Sequence, residues 1–171
     1  MSLNEKIHLV PFNPLWETLY QTEALQLQKK LGRNIVDIQH IGSTSVPNIY
    51  AKPIIDIMIG IKDLEKSELV VQTLRELDYE YFGEANVPGR LYLRKRTQNH
   101  FNIALCRHNS EIWMNNILFR DYLRHHPEDA TTYSLLKKKI FDSGIDTLLP
   151  YSENKHAFIE EILLKAKNEI H

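Results

Sequence analysis

A chain of 171 residues with 43% hydrophobic and 25% charged side chains is long enough for one compact unit with its own core. Its net charge of −1 gives no global attraction to nucleic acid or anionic lipid, so any anion must be held by a local basic cluster. Cys106 is the single cysteine, which excludes an internal disulfide and a cysteine-ligated zinc cluster, and no apolar run approaches the roughly 20 residues that span a bilayer. The lone thiol and the mixed polar first residues, without a secretory pattern, lead us to expect a reducing, cytoplasmic setting with no membrane association and no general nucleic-acid binding.

Asn13-Pro14 opens the first helix, since Asn13 suits a cap and Pro14 suits the first turn. Leu15, Trp16, Leu19, Tyr20, Leu27 and Leu31 recur at helical spacing up to a stop at Gly32. Residues 35–41 read as a strand with Val36, Ile38 and His40 on one face. His40 reaches the strand end, where it either braces the next turn or contacts a ligand. Residues 54–61 form a nearly continuous apolar run, the pattern of a central strand covered on both faces. A helix from about residue 62 to Leu77 is expected to bury Leu64, Leu69, Val70, Leu74 and Leu77.

Residues 79–82 suggest a short strand, and Asn86-Val87-Pro88-Gly89 a turn. Residues 90–96 form a strand with Leu91 and Leu93 on one face and Arg90, Tyr92, Arg94 and Arg96 on the other. That basic strip is open to two readings, a solvated face or a clamp whose guanidinium groups match phosphate oxygens. In the next strand, residues 100–105, Phe101, Ile103 and Leu105 face the core, while His100, Asn102 and Ala104 share the other face.

Ser110 caps a helix that reaches about His126, on which Arg120 and Asp121 are expected to pair and lock the helical half to the sheet. Pro127 starts another, with Tyr133, Leu135, Leu136, Ile140 and Phe141 inward, Lys137, Lys138 and Lys139 solvated, and Ser143-Gly144 at its end. Ser152-Glu153 opens a last helix with Phe158, Ile159, Ile162 and Leu163 inward. The expected organisation is a single domain over residues 1–171, with a sheet core at about 1–108 and a helical part at about 109–171. Interleaved strands and helices argue for an α+β (α/β-like) fold on a mixed sheet rather than a bundle.

Chemistry concentrates in Gly42-Ser43-Thr44-Ser45, Lys52 and Asp56. Gly42 permits positive φ and a close backbone approach. The three hydroxyls and neighbouring N–H groups suit a phosphate, and Lys52 adds positive charge. Asp56 stands in an otherwise apolar strand, a costly position unless the carboxylate is paired or holds a cation. Taken alone, the same residues also fit a capped turn and one satisfied aspartate.

A Gly-Ser turn followed by a strand acid resembles the signature of polymerase-β-like nucleotidyltransferases. The strings His40-Ile41-Gly42-Ser43-Thr44-Ser45-Val46-Pro47, Ala51-Lys52-Pro53-Ile54-Ile55-Asp56, Pro88-Gly89-Arg90, His100-Phe101-Asn102 and Phe119-Arg120-Asp121-Tyr122 resemble the GrpB family over nearly the whole chain. The resemblance implies a nucleotidyltransferase-like mixed-sheet core with a helical C-terminal part. It implies that Gly42, Ser43, Thr44, Ser45 and Lys52, with Arg90 and Arg94, surround the phosphates of a nucleotide or other phosphorylated small molecule. Asp56 would hold Mg²⁺ or Mn²⁺, Asp56 and His100 would be catalytic, and His40, His100, Asn102 and Glu84 are further candidate metal ligands. Tyr151 and Lys155 also match family positions, and a cleft-lining role is kept as an alternative for them.

Two departures from the pattern matter. The second acid of the superfamily stands at Met58, whose thioether is no ligand for Mg²⁺, and Asn102 replaces the second histidine of a GrpB His-x-His pattern. Three functions follow as expectations: metal-dependent nucleotidyl or phosphoryl transfer, binding of a nucleotide, coenzyme or phosphate ester without turnover, and hydrolysis at a metal held by His40, Asp56 and His100.

Overall fold

A computed structural model describes residues 3–169. Helix α1 (Leu15–Leu31) starts where the Asn13 side chain accepts the Leu15 N–H at 3.0 Å, and Gly32 stops it. Then come β1 (Asp37–Ile41), β2 (Ile55–Ile61), α2 (Glu68–Glu76), β3 (Glu80–Tyr81), β4 (Arg90–Arg96) and β5 (His100–Arg107). The helical half holds α3 (Glu111–His125), α4 (Pro127–Asp142), α5 (Leu148–Glu153) and α6 (His156–Glu169). The strands form one mixed sheet in the order β1-β2-β5-β4-β3, in which β2 and β5 are parallel and the other pairs antiparallel. The fold is α+β, as the sequence pattern indicates.

Strand alternation sorts the sheet into two covered faces. Ile55, Ile57, Ile59 and Ile61 of β2 join Phe101, Ile103 and Leu105 of β5 beneath Trp16, Leu27 and Leu31 of α1 and Val70 and Leu74 of α2. On the other face Ile41, Met58 and Cys106 pack under Trp113 of α3. Asp56 lies on this second face, opposite Ile41 of β1 and Asn102 of β5. The apolar run of β2 is thus buried on both sides, with one carboxylate at its entrance.

A third cluster unites the halves. Val46 and Ile49, just after the Gly-Ser turn, pack among Tyr122 and Leu123 of α3, Tyr133 of α4 and Ile162 of α6. Arg120 fastens the same junction: Nε donates to Asp121 at 2.7 Å, and Nη1 donates to the Gln39 side chain at 2.8 Å and to the His40 carbonyl at 3.0 Å. The expected structural role for the Arg120–Asp121 pair is met. The N-terminal segment adds a tie across both halves through isolated β-bridges from Val10 to Ala51 and from Lys6 to Thr147.

Three expectations need correction. The helix expected from residue 62 is a 3-10 turn (Leu64–Lys66) followed by α2, because Asp63 caps the turn by accepting the Glu65 N–H. Restarting at Glu68 sets Val70 and Leu74 inward and leaves Leu69 56% exposed. On α4, Leu135 is 61% exposed while Lys137 is fully buried, since the inward stripe is Ala130, Tyr133, Ser134, Lys137 and Ile140. The last helix is two: α5 begins at Leu148, and Asn154 and Lys155 separate it from α6.

Met58 is fully buried against Trp113, Ile41 and Cys106. Met58→Asp, which restores the acid–x–acid pattern, places a second carboxylate in that apolar cluster. It is expected to lower unfolding free energy by about 3–5 kcal/mol in urea melts.

Candidate functional site

The Gly-Ser turn follows β1 directly, and its side chains divide into braces and a facing wall. Gly42 sits at φ +71° and ψ −173°, a region essentially restricted to glycine. A Cβ there would lie 2.5 Å from Asp56 Oδ2, so the missing side chain is what lets turn and carboxylate meet. The Ser45 hydroxyl donates back to the Gly42 carbonyl at 2.6 Å. His40, 3% exposed, stands 3.1 Å from Glu17 through Nδ1 and 2.9 Å from the Thr44 hydroxyl through Nε2. A carboxylate only accepts, so Nδ1 carries the proton toward Glu17. Burial holds the His40 pKa below its ordinary value against the pull of Glu17, so the neutral ring's Nε2 accepts from Thr44. Tyr20 stacks on this imidazole with centroids 4.6 Å apart. His40 therefore braces the turn.

Asp56 is oriented rather than neutralised. Its Oδ1 accepts from Asn102 Nδ2 at 2.7 Å, and Asn102 Oδ1 accepts from Arg96 at 2.8 Å. Arg96 in turn holds Glu5 with two bonds of 3.1 and 2.7 Å. Because guanidinium can only donate, Arg96 fixes which end of the Asn102 amide meets Asp56.

Beyond the turn opens a recess of about 230 Å³, walled by Gly42, Ser43, Thr44, Lys52 and Asp56 on the sheet side. The helical half supplies Asn115, Asn116 and Phe119 of α3, Tyr133 of α4, Tyr151 of α5, Lys155, and Ile159 and Leu163 of α6. The Tyr133 phenol pairs with the Ser43 side chain, and burial raises its pKa. The Lys155 amine lies 4.5 Å from the Tyr151 ring centroid. Burial, with help from Lys52, pulls the Lys155 pKa down to about 7, against Asp56. Burial also lowers Lys52, opposed by Asp56 and Glu5. Lys137, behind the wall, donates to the Tyr50 carbonyl and lies 4.5 Å from the Tyr133 ring centroid. Burial depresses it further, and Lys155 and Lys52 add to the shift.

A second recess of about 190 Å³ shares Gly42, Asp56 and Asn116 with the first and is lined by Arg90, Tyr92 and Asn102. Arg90 donates to the Glu84 and Ala85 carbonyls at 3.2 Å each, and burial pushes the Tyr92 phenol up to about 12.

The sequence candidates fall into three groups. Gly42, Ser43, Thr44, Lys52 and Asp56 meet at the main recess, with Arg90 and Asn102 across Asp56. Ser45 and His40 hold the turn from behind. Arg94, Glu84 and His100 line neither recess: Arg94 bonds the Leu3 carbonyl at 3.1 Å and Glu5 at 3.3 Å, Glu84 accepts the Gly89 N–H, and His100 is exposed at the start of β5. The structure does not bring His40, Asp56 and His100 to a common point. Among the described residues no group of three or more His, Cys, Asp or Glu side chains could hold a metal ion. With Met58 buried in an apolar cluster and one Asp56 oxygen engaged by Asn102, the donor set does not fit a divalent ion held by paired carboxylates.

Sequence reasoning missed Asn115, Asn116, Phe119, Tyr133 and Lys137. For Lys137 a signal existed: it continues the stripe of Ala130, Tyr133 and Ser134.

The mixed five-stranded sheet closed by helices is a nucleotidyltransferase-like fold. The solved Cid1 poly(U) polymerase superposes with a TM-score of 0.55 at 15% identity, over 74% of this chain and 42% of that one, a likeness of fold alone. The chain belongs to the GrpB family, whose model, described as GrpB protein, matches residues 6–165. The solved GrpB protein of Enterococcus faecalis is 35% identical with a TM-score of 0.86, covering 95% of this chain and 99% of that one. Curated relatives include YqkA of Bacillus subtilis, 31% identical over 95% of this chain, and glutamate-rich protein GrpB of Alkalihalophilus pseudofirmus, 30% identical over 92%. The chain spans about half (48%) of the length of YqkA and 94% of that GrpB.

Two measurements probe this geometry. Gly42→Ala forces a methyl onto Asp56 and a strained φ, and should cost about 1–3 kcal/mol of stability in a denaturant melt. Folding lowers the Lys155 pKa from 10.5 to about 7, so between those values the unfolded chain binds the proton and the folded chain does not. Stability from this residue therefore rises with pH across that window. The melting temperature of the wild type relative to Lys155→Met should climb as buffers move from about pH 7 toward about pH 10.

Proposed function

We propose that this protein binds a nucleotide, coenzyme fragment or other phosphorylated small molecule in the main recess, without a protein-held metal pair. One observation carries the reading. The amino groups of Lys52 and Lys155 and the buried hydroxyl of Tyr151 line one recess, and none has a hydrogen-bond or ion-pair partner among the described residues. Three donors without acceptors, opposite a glycine turn that leaves the backbone bare, suit a ligand made of oxygen acceptors and negative charge.

Asp56 faces the same space and sets orientation, accepting from a ligand hydroxyl or repelling a misplaced phosphate. Binding is favoured over group transfer because Met58 stands where a second acid would be needed to hold cations and Asn102 engages one Asp56 oxygen. No helix among the described residues is long and apolar enough to cross a membrane. A cytoplasmic setting, rich in phosphate esters, goes with this reading.

Thermal unfolding in inorganic phosphate, pyrophosphate and a panel of nucleoside phosphates, with and without Mg²⁺, tests it. A ligand at a hundred times its Kd should add about 2.7 kcal/mol of stability, a rise of several degrees. Lys52→Met should remove most of that rise. No rise with any phosphate compound would overturn the proposal, and ³¹P spectra of the same samples would reveal turnover.

A further inference from the structure

The helical wall of the recess does more than offer positive charge. Lys155 stands at the break between α5 and α6, with its amine 4.5 Å from the Tyr151 ring centroid. Its amine makes no hydrogen bond or ion pair among the described residues. The groups around it are Lys52 and Asp56 across the recess, Lys137 and Tyr133 of α4, Tyr151 of α5, and the apolar Ile159 and Leu163 of α6. An amine placed among other cations, beside aromatic and aliphatic walls and without a carboxylate in contact, is disfavoured as an ammonium and keeps its lone pair. The recess, at about 230 Å³, is on the small side for ligand pockets, which favours a compact phosphate compound over a dinucleotide.

We propose that Lys155 is a nucleophilic amine that forms an imine with a small phosphorylated aldehyde or ketone bound in this recess. The inference rests on the phosphate-binding reading and adds a substrate class to it. The phosphate lies against the Ser43 turn and Lys52, and the carbonyl carbon reaches Lys155 on the opposite wall. The nitrogen lone pair forms a C–N bond as the C=O π pair moves to oxygen. A proton passes from nitrogen to that oxygen, giving a carbinolamine, and loss of water leaves the C=N bond. Tyr151, whose hydroxyl has no partner, is placed to donate to the departing oxygen.

The test uses pyridoxal 5′-phosphate as probe, sodium borohydride to trap the imine, and peptide mass mapping of the wild-type chain. The expected result is one adduct on Lys155, formed about tenfold or more faster than on exposed Lys138 and Lys139. It should slow at least about tenfold with unphosphorylated pyridoxal, be suppressed by inorganic phosphate, and vanish in Lys155→Arg, which keeps a long basic side chain but has no nucleophilic amine. Adducts spread evenly over surface lysines, or centred on Lys52, would overturn the inference. If phosphate compounds still raise the melting temperature while Lys155 stays unlabelled, the imine proposal falls and phosphate binding stands. If neither effect occurs, both fall.

Discussion

A carboxylate inside a buried strand must have its charge answered, and the hydrogen bond from Asn102 to Asp56 is the constraint on which the site depends. It is the first link of a relay that continues through Arg96 to Glu5, so a group at the recess is oriented by a residue near the start of the chain. An aspartate paired directly with arginine would have its charge cancelled by a contact ion. An amide instead fixes one oxygen and leaves the other beside Gly42, facing the open space. The same economy appears at the turn, where His40 and Ser45 secure the backbone and leave Ser43 in front.

The recess is a product of two halves meeting. The sheet side contributes a turn and an acid, while the helical side contributes amines and phenols. Val46 and Ile49, buried among α3, α4 and α6, force the chain between the turn and β2 to pass through the helical cluster, and Arg120 closes the seam from the other direction. The lowered pKa values of Lys52, Lys137 and Lys155 share this origin, since three amines are gathered where little water remains to solvate them.

Much of this was legible in sequence, and the boundary is physical. The central strand could be read from the nearly continuous apolar run at residues 55–61, because burial on both faces favours it. The turn and Asp56 could be read because their residue types carry local meaning. Lys137 could not be read so easily: a triple-lysine run looks solvated, and only the stripe through Tyr133 and Ser134 marks the middle one as inward. Arg94 and Arg96 looked like part of a clamp because alternation shows which face a side chain takes but not what crosses it, and here Glu5 does. The place of Lys155 depends on a helix break that no glycine or proline marks at Asn154 and Lys155.

The N-terminal segment has a mechanical consequence. It is pinned to Ala51, next to Lys52, and to Thr147, at the threshold of α5, while Glu5 anchors Arg94 and Arg96 of β4. One extended stretch of chain thereby laces the floor and the far rim of the cavity together. A break in that stretch would part the two walls and, by releasing Glu5, unseat the relay that orients Asp56, so residues 5–10 act as a lacing for the whole recess.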